Sequence, residues 1–578
     1  MKSLFKYFKG YGKECILGPL FKLLEASFEL FVPLVIAGII DEGLPSLAHG
    51  DNSLIIRDFI ILIALAVIGL ACSLTAQYFS AKAATGFAAK VREGLFAHIQ
   101  SFSYSDIDNV GTATMITRMT SDINQLQSGV NMTLRLFLRS PFIVFGAMIM
   151  AFTIDKKMAL IFLVTIILLS IVVYGVMIIT IPKQRAVQGG LDKVLSRTRD
   201  NLTGVRVLRA FRKEESERRN FEEENNRLAA MQLASGRISA LTNPVTYIII
   251  NGAIIYLIWK GALVVSMGFL SAGQVVALYN YMSQILVELI KLANFIVLDI
   301  KALACARRIE EVLLSGGSDI NNGQLTNEIH PMAVEFKNVS MKYNKSSKET
   351  LEDISFSVNP GETIGIIGGT GSGKSSVVNL IAGFYKQSAG EILLDGHAIS
   401  EYSVDYLRNT IGITLQKAVL FAGTIGENIR WGCESATEDE VYKALDMACA
   451  LEFVKEKEGC LDYKLTSGGK NLSGGQRQRL TIARSLVGKR GILIFDDSSS
   501  ALDALTDAKL RENLKSMEDA PTIFMVSQRA STIMHADKIL VLDDGKMVAF
   551  DNHNNLMESC EVYREIYESQ FPPEDGEV

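Results

Sequence analysis

No two of the seven cysteines form a C-x-x-C pair; Cys15, Cys72, Cys305, Cys433, Cys449, Cys460 and Cys560 are scattered. That spacing argues against zinc and against a disulfide framework, and fits isolated buried or membrane-facing thiols. Charge is also scarce: 21% of residues are charged, against about 25% in an average soluble domain. There is no basic excess, because 58 Lys and Arg stand against 63 Asp and Glu, a net charge of −5. Nothing in that balance calls for a nucleic-acid partner. Histidine is rare, with six residues. Apolar residues are abundant: 48% of the chain is hydrophobic, and the mean hydropathy is +0.23. This composition excludes a disordered chain, a collagen and a small disulfide scaffold. A 578-residue chain is long enough for several domains. The numbers read as an average over two unlike parts, one very apolar and one ordinary.

The apolar part lies in the first half. A helix needs about 20 apolar residues to cross a bilayer. Phe59–Ala81, Met158–Pro182 and Ile238–Trp259 reach that length without a charge, and Gly261–Val287 adds most of another span. Cys15–Ile40 carries Lys22, Glu25 and Glu29, and Leu136–Ile154 carries Arg139. The pattern predicts six spans, near residues 15–40, 57–81, 136–154, 158–181, 241–262 and 273–298. Basic residues crowd two connections, 82–135 and 183–237. The positive-inside rule then puts both connections and both termini in the cytoplasm, with Trp259 near the outer interface. The basic, aromatic start Met1–Glu14 reads as an interfacial helix rather than a cleavable leader. Phe87–Ser101 and Val187–Leu233 keep helical spacing. The spans should therefore continue past the bilayer as helical hairpins, with tips at Ser103–Val110 and Ala210–Glu217.

Composition changes near Leu314. A polar, Gly-bearing stretch (Ser315–Gly317, Asn321, Asn322, Gly323) precedes strand-like runs at Val334–Val339 and Thr363–Ile367. The expected organisation is a membrane domain over 1–314, a linker over 315–331, an α/β domain over 332–572 and a tail over 573–578. The second run leads into Gly368-Gly369-Thr370-Gly371-Ser372-Gly373-Lys374-Ser375 and an apolar helix from Ser376. This is a P-loop in its required context of strand, turn and helix. Backbone N–H groups and the helix N-terminus favour phosphates. Lys374 would reach the β- and γ-phosphates of ATP, and Ser375 would ligate Mg²⁺. Gly491-Ile-Leu-Ile-Phe-Asp496 is a second apolar strand ending in an acid, the Walker B arrangement, with Asp496 on Mg²⁺.

Leu472-Ser473-Gly474-Gly475-Gln476, followed by Arg477-Gln478-Arg479, resembles the ABC transporter signature. Tyr343 stands where that family has its adenine-stacking aromatic. Gln416 matches the Q-loop, and Ser500-Ala501-Leu502-Asp503 matches the D-loop. The resemblance covers the whole chain and is to a half-size ABC exporter. It implies an α-helical membrane domain of six spans fused to an α/β P-loop domain. It also implies ATP held between two such domains: one gives the P-loop, and the other gives Ser473 and its glycine amides. Gln416 would join Ser375 and Asp496 around Mg²⁺. That arrangement implies a dimer.

Two departures bear on the subtype. The residue after the Walker B aspartate is a glutamate in active sites of the family; here it is Asp497, one methylene shorter. The switch position, normally His, holds Gln528 in Phe524-Met-Val-Ser-Gln-Arg529, and the nearest histidine, His535, lies outside the motif. Gln donates hydrogen bonds but cannot carry an imidazolium's proton. Both losses fall on the site built on this chain's own P-loop, whereas the signature is intact. Ser467 also departs, standing where related exporters carry an acid. The asymmetry resembles the degenerate subunit of heterodimeric bacterial multidrug exporters. It implies an unlike half-transporter as partner, a slow site here and a working site there. The expected function is ATP-driven export of hydrophobic or cationic small molecules across the inner membrane by alternating access. Lipid flipping is the nearest rival, a non-transporting ATP sensor is another, and peptide export is disfavoured. Within the spans, Glu29 and Glu288 could face a wet cavity and attract a cationic amphiphile. The competing reading pairs Glu288 with Lys291, and Glu25 with Lys22.

Overall fold

A computed structural model describes residues 2–316, 323–343, 348–517 and 519–571. The expectations that fall on 317–322 and 573–578 lie outside these described residues. The chain divides into two compact units, Met1–Phe96 with Ile116–Leu313, and Ala97–Met115 with Leu314–Val578.

The first unit is helical, because lipid offers the backbone no hydrogen-bond partners and a helix satisfies its own. Its main helices are α1 (Gly12–Gly38), α2 (Ser53–Gln100), α3 (Arg139–Ile154), α4 (Lys156–Thr203), α5 (Glu214–Ser266) and α6 (Ala272–Leu314). The stretches carrying the first five are long and apolar enough to cross a membrane. α6 is 43 residues long but is broken up by Asn280, Gln284, Glu288, Lys291 and Asn294. Ala26, Ala147, Phe162, Leu257, Leu278 and Tyr281 fill the bundle core. The alanines there let helices approach closely. α2 leaves Phe59, Ile60, Ile63, Val67 and Leu70 exposed, an apolar face suited to lipid.

α5 has 53 residues, about 80 Å at 1.5 Å per residue, far more than a bilayer needs. α2 and α4, at 48 residues each, also run on well past a bilayer's thickness. After Gln100 a short helix, Tyr104–Val110, occupies the expected first tip, started by a capping box between Ser103 and Asp106. At the second tip a short helix, Val205–Ala210, precedes a reversal through Phe211–Lys213. Val205, Val207 and Phe211 are exposed there, Phe211 by 72%.

The second unit holds two principal sheets. An antiparallel one orders Leu351–Val358, Val334–Met341, Ala389–Leu394 and His397–Ala398. The central six-stranded sheet orders Lys546–Asp551, Lys538–Asp543, Thr363–Gly368, Thr522–Val526, Ile492–Asp496 and Ile411–Thr414. Its strands are parallel except at the Lys546–Asp551 edge. Parallel strands are covered on both faces and so read as continuous apolar runs. Ile492-Leu-Ile-Phe-Asp496 and Thr522-Ile-Phe-Met-Val526 are buried throughout. Their side chains alternate between two cores: Ile494 and Phe524 enter one, Leu493 and Met525 the other. Val526 pairs with Asp496 on one side and Ile366 on the other. The carboxyl ends of three strands therefore meet at one level, where parallel α/β sheets bind ligands.

Candidate functional site

At that level lies a cleft of about 270 Å³, bounded by Thr370, Gly371, Lys374, Ser375, Ser376, Gln416, Asp496, Asp497 and Gln528. The P-loop shapes its floor. A Cβ on Gly368 would lie 2.1 Å from the Leu542 carbonyl oxygen, and one on Gly373, at φ +96°, 2.5 Å from Leu351 Cδ2. Only glycine fits either position. The loop is tightened by Ser372 N–H donating to the Gly369 carbonyl at 3.2 Å. The Ser372 hydroxyl is buried without a hydrogen-bond partner among the described residues.

Lys374 Nζ donates to the carbonyls of Gly368 (2.8 Å) and Gly369 (2.6 Å). Burial lowers its pKa, and the charges of Asp497 and Asp496 oppose that shift. Ser375 Oγ donates to Asp496 Oδ1 at 3.0 Å, joining the P-loop to the neighbouring strand end. Burial raises the Asp496 pKa and nearby Asp497 adds to the rise, while the Ser375 hydrogen bond and Lys374 pull it down. Asp497 adopts φ +46°, a left-handed conformation unusual outside glycine. Its N–H donates to the Val526 carbonyl at 3.0 Å, and its Oδ2 receives a long 3.5 Å contact from Gln416 Nε2. One carboxylate, one hydroxyl and one amide are a hard-oxygen donor set, of the kind that suits Mg²⁺ bound together with phosphates. The glycine cradle and buried cation suit the phosphates themselves.

The signature residues are not part of this cleft. Ser473 is the N-cap of helix Gly474–Leu486. Its hydroxyl accepts from Gln476 N–H at 3.2 Å, and the Gln476 side chain accepts from Ser473 N–H at 3.0 Å. Gln476 thus serves its own backbone, and Gly474 and Gly475 open the helix. Asp503 caps helix Ala504–Lys515. Hydrogen bonds from Thr506 hold its carboxyl below the usual range. Tyr343 does not border the cleft, but its hydroxyl lies 3.1 Å from Ser376 Oγ. Its ring meets Tyr385 edge-on at 5.0 Å.

Sequence reasoning missed three contributors in this unit. Tyr104, at the first hairpin tip, stacks on Phe384 at 4.2 Å. Tyr385 Oη donates to Asp108 of the same tip at 2.6 Å. Gln570, near the chain's end, donates to the Gln528 carbonyl and accepts from Ala530 N–H, both at 2.8 Å. No local signal marks these residues, because each partner is remote in sequence.

In the first unit, Glu29 and Glu288 both carry ion-pair partners. Arg139 grips both Glu29 oxygens at 2.9 and 2.8 Å and reaches Glu288 Oε1 at 2.7 Å. Ser140 and Lys291 each donate to Glu288 at 2.8 Å. Lys22 pairs with Glu25 at 2.5 Å, and Glu25 lies 3.9 Å from Arg139. The intrahelical pairs are therefore present, and Arg139 ties them into one network. Buried charges of this kind persist where partners surround them.

A long helical unit and a P-loop α/β unit with an ATP-type cleft define a membrane protein that works with a nucleotide. The family model described as the ABC transporter transmembrane region matches residues 15–289, and that described as ABC transporter matches 351–500. The uncharacterized ABC transporter ATP-binding protein YfiB of Bacillus subtilis is 34% identical over 577 residues, covering 100% of both chains. The ATP-dependent lipid A-core flippase of Hahella chejuensis is 29% identical, covering 99% of this chain and 100% of its own. A solved structure of a bacterial Atm1-family ABC exporter with ATP bound has the same fold, with a TM-score of 0.80 at 22% identity over 98% of this chain and 99% of its own. The chain belongs to the ABC transporter family and has the half-size exporter build, one membrane region and one ABC domain. It is a multi-pass membrane protein, and its ABC domain implies ATP binding and ATPase activity.

Proposed function

We propose that this chain is one half of a heterodimeric exporter that moves hydrophobic or cationic small molecules out across the inner membrane. The observation that carries this reading is the cleft itself. Asp497 and Gln528 stand beside Lys374 and Asp496, whereas the signature serine begins a separate helix. Both catalytic departures thus belong to this chain's own P-loop, and the intact signature is left for another chain. The exposed apolar second tip supports a second subunit as well. In this reading the ABC domain over 332–572 and both termini are cytoplasmic, and the membrane domain covers 1–314. When bound, Mg-ATP supplies the phosphoryl group and the charge that draws the domains together. Lys374 and the loop amides orient the phosphates, and Ser375, Asp496 and Gln416 would hold the Mg²⁺.

Asp497 is one methylene short of a glutamate, and misplacement by about 1 Å can cost about 100-fold in rate. Gln528 contributes a hydrogen bond without a proton to give. The site binds ATP and turns it over slowly. The partner's site, completed by Ser473, Gly474 and Gly475, hydrolyses ATP and resets alternating access.

Purified alone, the chain should show little ATPase; the pair with an unlike half should be active. Asp497→Glu with Gln528→His should raise turnover at this site by about 10- to 100-fold. Brisk hydrolysis by the lone chain, abolished by Asp497→Asn, would defeat the heterodimer reading. A second reading, lipid flipping, is favoured by the named flippase among the relatives. Vesicle assays with a dye and with a labelled lipid separate the two.

A further inference from the structure

The Arg139 network borders a cavity of about 500 Å³ between α1, α3 and α6, within the range of small-molecule pockets, roughly 300–1,000 Å³. Its six ionised groups balance. Lys22, Arg139 and Lys291 are matched by Glu25, Glu29 and Glu288. Lys22, Glu25, Arg139 and Glu288 are buried. Glu29 and Lys291 are not: their side chains are 44% and 43% exposed, and both line the cavity. They carry opposite charges and are separated by the Arg139–Glu288 pair. Beyond them, Val32, Ile36 and Ile143 give the same cavity an apolar wall. Val32 and Ile36 come after Glu29 at helical spacings of three and seven, on one face of α1.

A lone cation docking on Glu29 would leave one uncompensated positive charge in a low-dielectric bundle, which is costly. A lone anion on Lys291 would leave the opposite excess. A ligand carrying both charges leaves the network neutral. We propose that this cavity is a head-group site for a zwitterionic amphiphile, with its ammonium on Glu29, its anion on Lys291 and its chain along the Val32–Ile36 wall. Lys291 spends one N–H on Glu288 and has two more to offer an anion. The proposal narrows the hydrophobic substrates of the export reading to zwitterionic amphiphiles, disfavours its purely cationic ones, and rests on that reading only for the transport step after binding.

Three probes with one tail isolate the head: dodecyl phosphoethanolamine, dodecylammonium and methyl dodecyl phosphate. Binding to the full chain in nanodiscs is read by native mass spectrometry. The zwitterion should bind at least about tenfold tighter than either single-charge probe. Glu29→Gln should shift preference to the phosphate probe, and Lys291→Gln to the ammonium probe. The double variant Glu29→Gln with Lys291→Gln keeps the network neutral and should bind the three probes alike, and an unchanged melting temperature guards against a variant that merely misfolds. Equal binding of dodecylammonium and the zwitterion would overturn the site, as would a preference untouched by both single variants. Vesicle transport by the paired halves keeps the two claims apart. Charge-dependent zwitterion binding without transport would defeat the export reading alone. Transport of dodecylammonium indifferent to Glu29 and Lys291 would defeat the site alone.

Discussion

Arg139 in the helical unit and Lys374 in the α/β unit are both buried cations, and their partners differ. Arg139 is matched within the chain by Glu29 and Glu288 at ion-pair distance. Among the described residues, Lys374 makes only carbonyl hydrogen bonds at that range, to Gly368 and Gly369. Its carboxylate neighbours, Asp496 and Asp497, act at longer range and share their cleft with it. A cation saturated by its own chain holds helices together. One left on backbone carbonyls beside a glycine cradle is poised for an anion brought from outside.

The sharpest break of that comparison is Glu288→Ala. It removes the buried partner of Arg139, leaves Glu29 as its remaining close partner and the network with one excess positive charge, and should cost about 3–5 kcal/mol in thermal unfolding. Replacing the pair, Arg139→Met with Glu288→Leu, should recover most of that loss. Equal destabilisation by both variants would mean the network's charges do not matter. Next comes Lys374→Ala, which should weaken binding of a fluorescent ATP analogue by about 100-fold, the scale of a lost charge-assisted hydrogen bond. Its melting temperature should hardly move, the reverse of the Glu288 result.

Tyr104→Ala tests a third kind of contact, neither paired charge nor ligand site. Loss of its stack on Phe384 should cost about 1 kcal/mol. In the paired transporter it should reduce substrate-stimulated ATPase more than unstimulated ATPase. The smallest effect concerns His553, whose Nδ1 lies 2.8 Å from Tyr563 Oη. Burial holds its pKa below 6.5, and the charge of His535 lowers it further. The unfolded chain therefore takes up this proton first on acidification. Stability should be flat above about pH 6.5 and fall as pH drops below it. His553→Gln should shallow that slope in melts at stepped pH; an unchanged slope would assign it to other groups.

The P-loop was legible because its chemistry is local: consecutive amides, two demanding glycines, a lysine and a serine. Asp496 was legible as the end of an apolar strand. The Lys22–Glu25 and Glu288–Lys291 pairs were legible from helical spacing. Arg139 showed only as a charge near the start of a span, because its partners Glu29 and Glu288 lie 110 and 149 residues away. Gln570 was invisible for the same reason, being 42 residues from Gln528. The left-handed backbone at Asp497 also escaped notice, since aspartate carries no glycine's warning.

The sequence by itself determined the apolar spans, the long helical extensions, the nucleotide motifs and the two departures at Asp497 and Gln528. All of these depend on residue type and short-range spacing, which act before the chain is packed. Only the tertiary structure decided which charges neutralise one another, that Glu29 and Lys291 alone of the network are substantially exposed to the cavity, and that Tyr385 joins Tyr343 to the Asp108 tip. Those outcomes depend on burial and on meetings between remote segments, where the low dielectric sets the worth of each charge by its neighbours.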